Sequence, residues 1–124
     1  MSSVFLKKAF NTAALLALMT GASTAFAHAH LEQSTPAADS TISSANEVRL
    51  VFSEGVEDKF TQVAINRDGT SVAVTSIKTE PGNKKVLIVT PAQALPAGQY
   101  RVNWKVVSVD THKSNGQYSF TVSN

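Results

Sequence analysis

An all-β sandwich of about seven strands is the fold this sequence predicts. Three observations predict it. Short runs alternate apolar and polar residues with period two, the pattern of half-buried antiparallel strands. Turn-forming residues bound these runs at close intervals. No segment after Ala27 sustains the 3.6-residue periodicity of an amphipathic helix.

The elements follow in order. A first strand is expected near Leu31–Ser34. Val48, Leu50 and Phe52 then alternate with Arg49, Val51 and Ser53. Val63 and Ile65 alternate with Gln62, Ala64 and Asn66. Asp68-Gly69 is a hairpin turn, and Val72 and Val74 belong to the strand that returns from it. Pro81-Gly82-Asn83 turns the chain into the run Lys85-Val86-Leu87-Ile88-Val89. After the turn Pro96-Ala97-Gly98 comes the longest alternation: Tyr100, Val102, Trp104 and Val106 against Gln99, Arg101, Asn103 and Lys105. Asn115-Gly116 precedes Tyr118, Phe120 and Val122. Trp104 is expected to plug the core rather than to act as a binding platform. No internal repeat, low-complexity tract or linker divides the chain.

The first 27 residues read differently. Lys7 and Lys8 precede an apolar run, Ala13 to Met19, then small residues and the triplet Ala25-Phe26-Ala27. A basic region, an apolar region of ~7–15 residues and an A-x-A exit are the parts of a secretory signal peptide. A spanning helix wants ~20 mostly apolar residues, and Asn11, Thr12, Thr20, Ser23 and Thr24 interrupt this run. Residues 1–27 are therefore expected to be a cleaved signal peptide, and 28–124 one exported domain with no membrane span of its own. The chain has no cysteine, so packing alone must hold that domain together. Both methionines, Met1 and Met19, leave with the leader. Lys7 and Lys8 leave too, so nine basic residues face nine acidic ones. No basic stripe suggests nucleic acid or an anionic membrane surface.

Cleavage after Ala27 would make His28 the first residue. Its α-amine and its imidazole can then hold one metal ion together. A second polar cluster, Ser108-Val109-Asp110-Thr111-His112-Lys113, follows the longest strand. Residues i and i+2 of an extended chain project to one side, so Asp110 and His112 can face one point. If the sandwich brings the two places together, an amine, two imidazoles and a carboxylate converge. A tetragonal nitrogen and oxygen set without sulfur suits Cu(II) best, Ni(II) next. A rival geometry uses His30 alone: amine, two deprotonated backbone amides and the third residue's imidazole form a planar four-nitrogen site. The stretch His28-Ala29-His30 admits both.

The chain resembles the CopC family of periplasmic copper-binding proteins, especially its short YobA-like members. The resemblance covers essentially all of residues 28–124. It is carried by HAHL at 28–31, STPAADS at 34–40, VRLVFSEGVE at 48–57 and LPAGQYRVNWKVVSVDTHKSNGQYSFTV at 95–122. It implies a seven-stranded Greek-key β-sandwich of cupredoxin-like or immunoglobulin-like shape, and a Cu(II) site built as a histidine brace. In that site His28 supplies amine and imidazole, and Asp110 and His112 complete it. Glu54 matches a carboxylate near the copper, and His30 is at most auxiliary. Some members also carry a methionine-rich Cu(I) site; residues 28–124 contain no methionine, so a Cu(II)-only type is expected.

The function so implied is copper storage, resistance or delivery in the periplasm, by a monomer that meets a CopD-type inner-membrane protein. Two alternatives come from other classes. A histidine brace can also activate oxygen in an oxidative enzyme, but that chemistry needs an open coordination position that Asp110 would fill. A metal-free interaction sandwich is the other, resting on fold alone.

Overall fold

The computed structural model of the protein describes residues 28–123; the predicted leader, 1–27, lies outside them. Regular structure among the described residues consists of nine strands and one short 3-10 turn, Asp58–Phe60, with no α-helix. A four-stranded sheet runs in the order β1 (Leu31–Thr35), β3 (Val48–Phe52), β7 (Asn83–Pro91), β6 (Val74–Glu80). A five-stranded sheet runs β2 (Thr41–Ile42), β9 (Lys113–Val122), β8 (Gly98–Val107), β4 (Gln62–Arg67), β5 (Thr70–Val72). All neighbours are antiparallel except β2, which lies parallel to β9. The seven strands of five residues or more match the expected number; β2 and β5 are short additions.

The alternation in the sequence becomes the two faces of each strand. In β8, Tyr100, Val102, Trp104 and Val106 are buried, while Gln99, Arg101 and Lys105 are exposed. From the facing sheet, Val48, Leu50 and Phe52 of β3 are fully buried against them. Phe52 and Trp104 meet across the two sheets edge to face, centroids 5.1 Å apart. Burying side chains of this size contributes roughly 1.5–3 kcal/mol each. Trp104 is thus a core residue, as expected. Its indole packs against Gly116 of β9, where an added Cβ would collide with the ring. Tyr100 stacks on Phe120 at 5.1 Å, and its hydroxyl donates to the Pro96 carbonyl at 2.5 Å, so the polar end of a buried ring is satisfied.

One element departs from the sequence reading. The Asp68-Gly69 turn forms, with both residues at positive φ, but Val72 and Val74 do not share a strand. Val72 ends β5 in one sheet and Val74 begins β6 in the other. The run Val72-Ala73-Val74 breaks the polar alternation that would hold one face to solvent. The Ala73 carbonyl accepts from the Ala92 N–H at 2.9 Å, and the chain changes layer there.

One end of the sandwich gathers the start of β1, the end of β3, the start of β7 and the turn between β8 and β9. Residues 55–57 tie the two sheets together at this end. The Glu57 N–H donates to the Val107 carbonyl, the Val109 N–H donates to the Gly55 carbonyl, both at 2.9 Å, and Val56 bridges Ser108. The Val56 N–H in turn donates to the Lys84 carbonyl at 2.9 Å.

Candidate metal centre

Residues 28–30 enter this end as an arm along the edge of the core. Ala29 is fully buried within the hydrophobic cluster, while His28 and His30 on either side are exposed. A small apolar residue between two polar ones is what allows the arm to dock by its middle and present both histidines outward. Serines fasten it. The Ser114 hydroxyl, at the start of β9, donates to the Ala29 carbonyl at 2.7 Å. Ser53, just past β3, donates its N–H to the His30 carbonyl at 2.8 Å and accepts the His30 N–H on its Oγ at 2.9 Å. Its hydroxyl also lies 3.5 Å from the His28 carbonyl.

The turn between β8 and β9 supplies the other half. Residues 108–112 close on themselves: the Ser108 N–H donates to the His112 carbonyl at 2.9 Å, and the Thr111 N–H to the Ser108 carbonyl at 2.8 Å. Thr111 takes the left-handed conformation, φ 73°, that this tight closure demands. At its centre the Ser108 side chain is fully buried. Its hydroxyl donates to Asp110 Oδ1 at 2.5 Å and accepts the His112 N–H at 3.1 Å. The bond from Ser108 is the main reason the Asp110 carboxyl sits below its ordinary range; His112 pulls the same way and desolvation opposes. Asp110 and His112 stay half exposed, with Oδ1 3.5 Å from Nδ1.

The arm and the turn bring the predicted residues together unevenly. The rings of His28 and His112 lie 5.2 Å apart, centroid to centroid, at 34°. Asp110 adjoins His112. Glu54 is half-buried between Ser53, which holds the arm, and Gly55, which holds the turn. The His30 backbone, by contrast, is committed to Ser53. Among the described residues no three side chains of His, Cys, Asp or Glu already converge on one metal position. The donors present, imidazole and carboxylate at an exposed edge, nonetheless suit a borderline divalent cation such as copper.

Nothing in the sequence alone marks Ser53, Ser114 or Ala29 as parts of a site. Their partners are distant in the chain, and only the register of β1 with β3 and of β8 with β9 brings them there.

The CopC domain model matches residues 31–123. Copper resistance protein C from Escherichia coli is 38% identical over 124 residues, covering 94% of this chain and 97% of that protein. Protein YobA from Escherichia coli strain K12 is 43% identical over 103 residues, covering 78% of this chain and 80% of that one. Among solved structures, PcoC, a methionine-rich copper resistance protein from Escherichia coli, superposes with a TM-score of 0.72 at 36% identity. The match covers 78% of this chain and all of PcoC.

Proposed function

Since the chain belongs to the CopC domain family, we propose that it binds one Cu(II) ion in the periplasm, for copper resistance, storage or delivery. The observation that carries this reading is the 5.2 Å approach of the His28 and His112 rings, which are far apart in the sequence. Cleavage after Ala27 frees the His28 amine beside its imidazole. Amine, His28, His112 and Asp110 then make a set of three nitrogens and one oxygen. The Asp110 Oδ1 accepts the Ser108 hydroxyl hydrogen bond, and the carboxylate keeps lone pairs free for the metal. Glu54, beside Ser53 in the chain, is assigned the role of adding negative charge near the site without ligating. The protein acts as a monomer and passes copper to or from a CopD-type membrane protein. It is a carrier and not an enzyme, in keeping with relatives named for copper resistance.

Two features favour the brace over the local four-nitrogen site at His30. That site needs the His30 amide deprotonated and bound to copper, yet this N–H is donated to Ser53. It also needs the arm to wrap around the metal, yet Ala29 is buried and its carbonyl is held by Ser114. Forming it would undo both anchors.

The absence of sulfur supports Cu(II) over Cu(I). PcoC is described as methionine-rich, whereas residues 28–124 here contain neither methionine nor cysteine. Soft ligands select Cu(I), and none is available. Competition titration of the processed protein should give one tight Cu(II) equivalent and weak Cu(I) binding. Tight Cu(I) binding, or no Cu(II) binding, would sink the proposal.

A further inference from the structure

Ser108 is the one fully buried polar side chain among the described residues whose bonds all end on the backbone and carboxylate of its own turn, residues 108–112. Buried hydroxyls cost free energy unless they are bonded, and this one is bonded in two directions. It donates to Asp110 Oδ1 and accepts from the His112 N–H. Asp110 and His112 themselves are about half exposed, with side-chain accessibilities of 49% and 51%. Their positions therefore are not set by packing. A solvent-facing carboxylate on a five-residue turn ordinarily samples several rotamers, and each must be given up when a metal arrives.

We propose that Ser108 is the positioning residue of the copper-holding turn, restricting the Asp110 carboxylate and the His112 backbone before copper binds. The inference rests on the Cu(II) reading above and assigns it a determinant that never touches the ion. Ser108 is suited to this by its place in the fold. It is the residue where Val56 bridges the turn to the opposite sheet, so the hydroxyl is referenced to both layers of the sandwich. The Ser108 backbone N–H also holds the His112 carbonyl at 2.9 Å. Removing the side chain thus removes orientation while the backbone of the turn remains closed. Groups that orient metal ligands in this way are commonly worth ~10–100-fold in affinity.

The test uses the processed protein beginning at His28, with Ser108→Ala and Ser108→Thr. Thermal melts without copper are read first, then Cu(II) affinity by competition and the electron paramagnetic resonance spectrum of the loaded protein. Ser108→Ala is expected to melt close to the unaltered protein, to bind Cu(II) ~10–100-fold more weakly, and to give an altered or heterogeneous spectrum. Ser108→Thr, which keeps the hydroxyl, should recover the original spectrum. Three results would overturn the inference: Ser108→Ala with unchanged affinity and spectrum, a loss of affinity that only accompanies loss of the fold, or a folded Ser108→Thr as impaired as the alanine variant. If the unaltered protein takes up no Cu(II), the metal reading itself fails; if it does and Ser108→Ala matches it, only the role of Ser108 fails.

Discussion

His30 and Ser53 hold each other by one backbone and one side-chain hydrogen bond: Ser53 N–H donates to the His30 carbonyl at 2.8 Å, and the His30 N–H donates to Ser53 Oγ at 2.9 Å. The second bond occupies the amide that a local copper site at His30 would have to deprotonate. Ser53→Ala removes that acceptor. It should weaken brace binding modestly, and above neutral pH it should let a planar four-nitrogen spectrum appear. Electron paramagnetic resonance across a pH series reads the change. A spectrum that stays as in the unaltered protein at every pH would show that Ser53 does not guard the amide.

Ligand substitutions separate the two copper geometries. His112→Ala should weaken Cu(II) binding by more than the ~10–100-fold typical of an outer partner and should change the spectrum. Asp110→Asn should fall between, since a neutral oxygen replaces an anionic one. Glu54→Gln should cost no more than that outer-partner range. His30→Ala should change little. Binding preserved in His112→Ala but lost in His30→Ala reverses the assignment.

The His28 amine exists only in a chain that begins there. A single extra residue, such as a methionine left by expression, moves the amine away from the imidazole. The β-sandwich should melt unchanged while Cu(II) affinity drops by orders of magnitude. Intact mass of exported protein checks the natural start, and equal affinity in the extended chain would exclude the amine as a ligand.

Tyr118 gives a test of the core that is independent of copper. Burial pushes its phenol up to about 12, against a weaker pull from the Ser34 hydroxyl. By geometry the phenol oxygen has no hydrogen-bond partner, so the Ser34 contact is too poorly formed to satisfy it. In the unfolded chain a tyrosine titrates near ~10. The contribution of the neutral phenol is therefore complete below about pH 10 and is lost as pH rises towards about 12. A difference of this size corresponds to roughly 2–3 kcal/mol. Tyr118→Phe should be neutral or slightly stabilising at pH 7, because a buried orphan hydroxyl is removed. It should also flatten the alkaline fall in denaturant stability; an unchanged fall would place its origin elsewhere.

Much of this architecture is readable from residue order. Period-two alternation names the buried residues of β3, β8 and β9, since a strand's side chains can only point to two faces. The pair Asp110 and His112 is also readable, but not for the extended-chain reason expected: residues 108–112 form a closed turn with Thr111 left-handed, and the turn sets where the two residues lie. The strand read across Val72 to Val74 fails where the alternation itself lapses; there the chain changes layer, and the Ala73 carbonyl accepts from Ala92, 19 residues on.

What the sequence by itself determined is therefore most of the strands, the sulfur-free donor types and the two places in the chain that carry histidine. Only the tertiary structure decided that those places meet. The 5.2 Å between His28 and His112 depends on the pairing of β1 with β3, the antiparallel register of β8 with β9, and the packing of one sheet on the other. It also bears on the two geometries open to His28-Ala29-His30, and favours the brace. Burial of Ala29 and the bonds from Ser53 and Ser114 are long-range contacts. No local pattern encodes them, because each partner is brought to the arm by the fold and not by its neighbours in sequence.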